Sequence, residues 1–337
     1  FRERWTARYL DGFVVHSKAF DALKGSFPIG FLIWDLAISD PATSVGVIAL
    51  DRSGALIGSH NFYREVPRPP LAEWILRPRS NKTPALPLKN AITPTTSTID
   101  VRGRWWADGA LGSMIAKGND FQNSGQQTAL LSSGYCSAGA FFVTDENISK
   151  AAVLFAVRML IDHHWLIHND QFLQPLQPLP DEFRTDCLVW MLFAGKNLSA
   201  GADGLHWNDR DWSLTNHFIP FTEAEIGATA RFESDFMVRY IAGMMFSPEA
   251  QAVLDEGRKL FQRFHAISFP NKIRQEYKLG RAHAGWYQVR RALDAYNDSE
   301  FFDFAPFKAA YADLSVKLRP QVFELGFLPS ELGLGVT

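Results

Sequence analysis

An apolar run occupies residues 27–34 of this 337-residue chain almost without interruption. Strands of this composition are typical of sheets that are covered on both faces, as in α/β proteins. Two further β-prone segments, residues 44–50 and 55–63, flank the turn sequence at residues 51–54, whose Asp, Ser and Gly favour a hairpin. The first part of the chain is therefore expected to form three strands, at least two of which are paired.

The composition changes after this β-rich part. Seven of the 18 prolines lie in residues 64–94, and each one removes a backbone donor and fixes φ. This segment is expected to be an extended connection between two bodies, which agrees with a length sufficient for about two domains. Trp74, Ile75 and Leu76 predict that part of the connection packs against the protein.

Capping signals and apolar periodicity predict the elements that follow. Thr144 would cap a buried helix with two acids, residues 145–146, in its first turn. Thr222 and Glu225 have capping-box spacing, and Ser-Pro at residues 247–248 is a typical helix start. The predicted strands cover residues 128–132 and 140–143, and the predicted helices cover approximately residues 146–162, 181–195, 222–245, 247–265, 284–296 and 299–314.

The small net charge of −2 conceals two basic stretches. Residues 64–104 carry eight Lys and Arg against three acids, and residues 258–291 carry nine against one. Phosphate binding requires such clustering, because each neutralised phosphate releases condensed counterions. Tryptophans in or beside these stretches could stack on an extruded base. The alternative interpretation is that both stretches are solvated faces whose Arg stems pack on a core.

Two other groups of polar residues could carry chemistry. In residues 162–170, His164 and His168 would share one helix face, as zinc ligands do. The Glu of a His-Glu-x-x-His motif is absent, so a hydrogen-bonded helix end is the favoured interpretation there. Residues 203–212 combine three aspartates with two tryptophans, which suits either sugar binding or, as the favoured interpretation, a surface loop.

Cysteine usage and hydropathy exclude several classes of protein. Cys136 and Cys187 are the only cysteines, too few for a disulfide scaffold. The most apolar run, residues 151–161, contains Arg158 and is shorter than the roughly 20 residues that a bilayer span needs. The chain starts without Met and without a signal-peptide pattern. It is therefore expected to be cytoplasmic, without a membrane partner, and part of a longer protein.

Several segments resemble one family of enzymes. Residues 26–34 and 57–63 resemble the late strands of large bacterial adenine-specific DNA methyltransferases, which belong to restriction–modification and phage-defence systems. Residues 86–90, 117–121 and 285–290 are similar to downstream parts of the same proteins. The resemblance touches most of the chain, and none of these motifs is a catalytic signature.

The family's catalytic motifs are missing from this chain. The family binds S-adenosylmethionine with a Gly-rich loop and holds the target adenine with an Asn/Asp-Pro-Pro-aromatic motif. The nearest sequence here, Asp-Pro-Ala-Thr at residues 40–43, lacks the second proline and the stacking ring, and Gly134 and Gly139 do not form the loop. The resemblance therefore implies a C-terminal portion with no cofactor of its own, inactive alone, whereas the complete enzyme would use S-adenosylmethionine.

The resemblance also implies a domain order and partners. Residues 1–63 would be late strands at the edge of a methyltransferase-like sheet, residues 64–94 a Pro-rich connection, residues 95–245 an α/β target-recognition region, and residues 246–337 a helical C-terminal region. The fold class expected is thus α/β with a mainly helical last third. The implied partners are double-stranded DNA and the missing N-terminal catalytic half, or a partner subunit that replaces it.

The basic residues are the expected contacts to DNA phosphates or bases, and three tryptophans are candidates for base stacking. The basic candidates are Arg77, Arg79, Lys82, Arg102, Arg104, Lys272, Arg274, Arg281, Arg290 and Arg291, and the stacking candidates are Trp105, Trp106 and Trp286. Two other functions remain open. One is a self-contained hydrolase or glycan-binding protein that uses residues 207–212, and the other is a structural subunit of a larger assembly, which would expose an apolar patch.

Overall fold

Nine strands in three sheets and eight helices make up the part of the chain that the computed structural model describes. The described residues are 5–23, 27–64, 68–75, 109–116, 128–132, 140–161, 172–207, 210–280, 283–296 and 304–328. The strands are β1 (Ala7–His16), β2 (Pro28–Ser39), β3 (Ser44–Leu50), β4 (Leu56–Tyr63), β5 (Gly112–Ala116), β6 (Thr128–Leu131), β7 (Ala140–Val143), β8 (Ala202–Trp207) and β9 (Arg210–Leu214). The helices are α1 (Ile148–Leu160), α2 (Asp181–Phe193), α3 (Glu223–Ile226), α4 (Phe236–Ile241), α5 (Pro248–Ala266), α6 (Asn271–Glu276), α7 (Trp286–Tyr296) and α8 (Ala305–Glu324). The chain is therefore a mixed α/β protein.

The first sheet has the strand order β2-β1-β3-β4. Its β1 strand is antiparallel to β2 and parallel to β3, whereas β3 and β4 form an antiparallel hairpin. In the hairpin turn, Asp51 Oδ1 accepts hydrogen bonds from the backbone N–H groups of Ser53 at 2.8 Å and Ala55 at 2.9 Å. Gly54 has φ +84°, a conformation that favours glycine. The predicted hairpin is confirmed.

The prediction that the apolar run is covered on both faces is wrong for this structure. The run lies in β2, which is the outermost strand of its sheet. Its side chains at Leu32 and Ile33 are 41% and 59% exposed. The buried core of this sheet is small, consisting of Val14, Val47 and Ala49.

A second, larger hydrophobic core contains residues from Leu71 to Leu328. Strands β5, β6 and β7 are buried along their whole length, which is typical of strands covered on both faces. The apolar helix α1 is buried almost all round, as predicted. Helix α2 packs against α1, α5 and α8, so this core crosses the expected division between residues 95–245 and 246–337.

Part of the Pro-rich connection belongs to this larger core. Leu71 and Ile75 are buried in it, and the Trp74 ring lies 6.4 Å from that of Phe327. The Arg68 guanidinium donates hydrogen bonds to two backbone carbonyls far along the chain, those of residues 174 and 326. The prediction that the connection packs down is confirmed for residues 68–75.

Several helix boundaries differ from their predictions. The capping box of Thr222 and Glu225 is present, but α3 ends after one turn because Gly227 adopts φ +68°. The predicted helix over residues 222–245 is therefore wrong, and α4 is a separate helix. Helix α1 starts at Ile148, so residues 145–146 precede its first turn. Ser247 caps α5 as predicted, whereas α6 was not predicted and α8 starts later and ends later than expected.

Candidate nucleic-acid interface

Four of the ten basic candidates are described, and they lie on α6 and α7. Helix α6 directs Ile273 into the core, and α7 buries Trp286, Val289 and Leu293, which are spaced three and four residues apart. This arrangement fixes the apolar side of each helix. The opposite side is left to polar and charged residues.

Three of the predicted contacts are exposed on these two helices. Lys272, Arg274 and Arg291 are exposed, and none of their side chains forms a hydrogen bond or ion pair with another described residue. Arg263 on α5 has the same character but was not among the predicted contacts. We call these four residues the open cations. None of the four has an ion-pair partner among the described residues that an anion would have to displace.

Neighbouring basic residues on α5 form ion pairs, unlike the open cations, because each has an acid three residues upstream. Arg258 Nη1 lies 2.9 Å from Asp255 Oδ1, and Lys259 Nζ lies 2.6 Å from Glu256 Oε1. Such i,i+3 pairs on a helix satisfy charge locally. No acid lies three residues before Arg263. The sequence itself therefore distinguishes Arg263 from Arg258 and Lys259.

Tyr277, the residue that follows α6, lies near the positive charge of Arg291 on α7. Burial raises the pKa of Tyr277, a hydrogen bond with Glu276 raises it further, and the nearby positive charge of Arg291 opposes the rise. Arg291 therefore lies close to the end of the helix that carries Lys272 and Arg274. Glu276 and Asp294 are acidic neighbours of this surface, so it is cationic but not uniformly so.

Buried Gln288 holds these helices together. Its Oε1 accepts hydrogen bonds from the backbone N–H groups of Gly201 at 3.0 Å and Gly285 at 2.9 Å. Its Nε2 donates to the carbonyl oxygens of Gly201 and Tyr277, each at 2.9 Å. One side chain thus joins the end of α6, the start of α7 and the segment before β8.

Two segments of the backbone, at Gly285 and Ser199, pass very close to each other. A Cβ atom built there would lie 2.0 Å from the carbonyl oxygen of Ser199, so no larger residue fits without movement of the backbone. Gly285, Trp286 and Gln288 all belong to residues 285–290, one of the segments on which the expectation of a methyltransferase was based. In this structure these residues have architectural roles.

Two of the predicted contacts are not available as expected. Trp286 is only 3% exposed, and its ring lies 5.1 Å from that of Phe193 and 4.9 Å from that of Phe307. It is a core residue, so its assignment as a base-stacking platform is corrected. Arg290 is half-buried and donates from Nη2 to the Gly195 carbonyl oxygen at 3.3 Å, and burial lowers its pKa. This guanidinium binds the end of α2.

The other candidates lie outside the described residues. These are Arg77, Arg79, Lys82, Arg102, Arg104, Arg281, Trp105, Trp106, Asp209 and the histidine-rich residues 162–170. Within the described ranges, no group of three His, Cys, Asp or Glu side chains could hold a metal ion. Likewise, none of the described helices is long and apolar enough to cross a membrane.

The segment expected to be a loop at residues 203–212 is a hairpin. Strands β8 and β9 pair antiparallel, with Leu205 opposite Trp212 and Trp207 opposite Arg210. Asp203 and Asp211 are exposed. The strand pairing corrects the loop prediction.

A cavity of about 700 Å³ opens between the start of α2 and the segment after α4. Its wall combines Tyr240, Met244 and Phe246 with Asp181 and Glu182, which carry negative charge. Its cation, Arg184, is paired with Asp181. Glu182 is in turn paired with Lys317, and none of the predicted DNA contacts lines this cavity, so it is not part of the candidate interface.

Partly buried histidines make stability depend on pH. The Phe232 ring lies 6.4 Å from the rings of both His265 and His283. Burial lowers the pKa of His265, and burial together with the charge of His283 lowers the pKa of His217. The folded chain therefore binds fewer protons than the unfolded chain below the usual histidine pKa of about 6.5.

We expect the free energy of unfolding to fall as the pH drops from about 7 to about 5. The stabilisation that comes from keeping these histidines neutral is complete above their pKa in the unfolded chain. It is lost as the pH falls through their lower pKa in the folded chain. Urea unfolding at both pH values measures the change. His265→Phe keeps the ring contacts but removes one titrating group, so this variant should show a smaller loss. An equal loss in the variant and in the original protein would contradict the assignment of His265.

No family model, curated protein or solved structure matches this chain.

Proposed function

We propose that this chain is the DNA-binding, target-recognition portion of a bacterial adenine-specific DNA methyltransferase of a restriction–modification or phage-defence system. The single observation that carries the proposal is the set of open cations, Arg263, Lys272, Arg274 and Arg291. Exposed guanidinium and ammonium groups without internal partners are the groups that neutralise DNA phosphates. The sequence resemblance supplies the enzyme class.

In the complete enzyme, the work would be divided between two parts. A catalytic half, or a partner subunit, would bind S-adenosylmethionine and transfer the methyl group to an adenine that is turned out of the duplex. This chain would bind the surrounding double-stranded DNA, and phosphate contacts would fix its register. Arg would be the residue that most often reads guanine in the major groove. The bacterial cytoplasm is the compartment in which such an enzyme meets its DNA.

A salt titration of the full chain with a short DNA duplex tests this function. We expect the logarithm of the binding constant to fall linearly with the logarithm of salt concentration between about 50 and 200 mM. Replacing Lys272, Arg274 and Arg291 together with alanine should lower that slope by roughly 0.9 for each phosphate that the variant no longer neutralises. The same variant should bind at least about tenfold more weakly at the lowest salt.

A matched control separates local contacts from net charge. Lys18, Arg52 and Arg231 are also exposed, and replacing them with alanine removes the same charge from other parts of the chain. This control variant should keep the original slope. Binding that does not change with salt, or an equal loss in both triple variants, would refute the proposed interface.

A further inference from the structure

The cavity beside α2 has the size and the wall of a small-molecule site. Its volume of about 700 Å³ lies within the range of roughly 300–1,000 Å³ that is usual for ligand sites. Among the described residues, its apolar wall consists of Leu188, Tyr240, Met244, Met245 and Phe246. Met245 is 86% exposed, so a bound molecule would cover apolar surface that water now contacts. Thioether and aromatic side chains of this kind adapt to ligands of varied outline.

Hydrogen bonds to α2 hold one side of this wall in place. The Thr185 hydroxyl donates to the backbone carbonyl oxygen of Met245 at 3.0 Å. The Ser247 backbone N–H donates to Asp186 Oδ1 at 3.3 Å. Gly243 adopts φ +79°, which permits the turn between α4 and this segment. The cavity is therefore largely formed before a ligand enters, and a preformed site lowers the entropic cost of binding.

The charges beside this wall do not balance. One ammonium group, that of Lys317, is shared by three carboxylates. Its Nζ lies 2.6 Å from Glu182 Oε1, 2.7 Å from Asp186 Oδ2 and 3.6 Å from Glu249 Oε2. One positive charge cannot neutralise three negative charges, so this group keeps an excess of two negative charges at neutral pH. Glu182, which lines the cavity, is therefore only partly compensated by its cation.

A further acid acts on the ring of Tyr240. Burial raises the pKa of Tyr240, the negative charge of Asp145 raises it further, and the positive charge of Arg184 opposes the rise. Both charges therefore lie near this ring. Asp145 is exposed and forms no ion pair with another described residue, whereas Arg184 is paired with Asp181. The acid beside the ring is thus the uncompensated charge.

Two other cations on the elements around the cavity are engaged elsewhere. Lys150 Nζ donates to the Trp74 carbonyl oxygen at 3.1 Å and lies 4.8 Å from the centroid of the Trp74 ring. Arg239 Nε lies 2.9 Å from Asp235 Oδ1. The cavity therefore combines an aromatic and thioether wall with an excess of negative charge. A cation with an apolar body matches both properties, because a ring face attracts a cation and the apolar body fills the wall.

We propose that this cavity binds a small organic cation, namely a protonated amine carried on an aromatic body. The body would pack against Met244, Met245 and Phe246. The ammonium group would lie near the Tyr240 ring and the Asp145 carboxylate, which both favour a positive charge. None of the open cations lines the cavity, so this site does not rest on the proposed function and can be measured without DNA.

Three probes of one shape test the charge of the ligand. Phenylethylammonium, neutral 2-phenylethanol and the phenylacetate anion each carry a benzene ring on a two-carbon chain. The full chain, with methionine labelled at its ¹³C-methyl group, is titrated with each probe and followed by NMR. Phenylethylammonium should shift the signals of Met244 and Met245 and leave that of Met114, which is buried in β5, unchanged.

The order of the three affinities decides the inference. We expect phenylethylammonium to bind at least about tenfold more tightly than 2-phenylethanol, and phenylacetate to bind most weakly. Equal affinities, a preference for the anion, or the absence of shifts at Met244 and Met245 with every probe would overturn the proposal.

Substitutions assign the preference for a cation to named groups. Asp145→Asn, at an exposed position, should weaken the binding of phenylethylammonium about threefold and leave that of 2-phenylethanol unchanged. Asp21→Asn is the matched control, because Asp21 is exposed in the first part of the chain, and it should bind both probes like the original protein. Equal effects of these two variants would contradict the role of Asp145.

A second pair of variants tests the aromatic ring. Tyr240→Phe keeps the ring and should keep the preference for phenylethylammonium over 2-phenylethanol. Tyr240→Leu keeps an apolar side chain without a ring and should lose most of that preference. A preference that is the same in Tyr240→Leu and Tyr240→Phe would show that the ring does not bind the cation.

Discussion

Replacing Gln288 with leucine is expected to lower the free energy of unfolding by about 3–5 kcal/mol. Leucine has a similar volume, so packing changes little, but it can neither donate nor accept hydrogen bonds. The backbone N–H groups of Gly201 and Gly285 and the carbonyl groups of Gly201 and Tyr277 would lose this partner. Each buried polar group without a partner costs about 1–3 kcal/mol.

Urea unfolding measures this loss, and the chain provides a control on the same surface. Gln275 is exposed on α6, and Gln275→Leu should change stability by less than about 0.5 kcal/mol. If Gln288→Leu were no more destabilising than Gln275→Leu, the network would not be what holds α6 and α7. Because those helices carry Lys272, Arg274 and Arg291, the Gln288 variant should also bind DNA more weakly at temperatures where it remains folded.

Signals that act within a few residues predicted local structure well. The turn at residues 51–54 formed as expected because Asp51 accepts hydrogen bonds from its own turn. Ser247 caps α5 because its Oγ accepts from the Ala250 N–H only three residues away. Neither interaction depends on the rest of the fold.

The same signals did not determine where a helix ends. Thr222 starts a helix, but Gly227 stops it, and the Glu223 side chain then accepts a hydrogen bond from Phe232 at 2.7 Å. A capping box reports only the start of a helix. Its end depends on the left-handed glycine and on tertiary contacts, which periodicity alone does not reveal.

The candidate interface was predictable in part. Composition located the basic stretch at residues 258–291, but the state of each cation depends on its neighbours. Acids three residues upstream identify Arg258 and Lys259 as paired. The spacing of Trp286, Val289 and Leu293 marks one buried stripe and could have excluded Trp286 from base stacking. The bond from Arg290 to Gly195 joins distant parts of the chain, so no local signal predicts it.

The exposure of β2 is the most informative disagreement between sequence and structure. The composition of residues 27–34 predicts a strand covered on both faces, and the structure leaves both faces exposed. The structural-subunit hypothesis also predicts an apolar patch, and DNA binding by the open cations is what separates it from the methyltransferase hypothesis.

Replacing Lys317 with methionine is expected to lower the free energy of unfolding by about 3 kcal/mol. Lys317 Nζ lies 2.7 Å from Asp186 Oδ2 and 2.6 Å from Glu182 Oε1. Asp186 is 1% exposed, while Lys317 reaches solvent with about a fifth of its side chain. The variant would leave the Asp186 carboxylate buried in the larger core without its cation, and removing one partner of a buried pair is strongly destabilising.

The pH dependence and a double-substitution cycle test this ion pair. Burial alone would lower the pKa of Lys317, but the hydrogen bonds with Asp186 and Glu182 outweigh it, so the net shift is upward from 10.5. A raised lysine pKa gives stability that is complete below the unfolded pKa and is lost as the pH rises through the folded value. The original protein should therefore lose stability above about pH 10.5, and Lys317→Met should lose less over the same range.

Adding Asp186→Asn to Lys317→Met should recover part of the stability, because the neutral amide needs no cation. Lys308→Met, an exposed position on the same helix, is the control, and an equal loss in Lys308→Met and Lys317→Met would show that the pair does not stabilise the core.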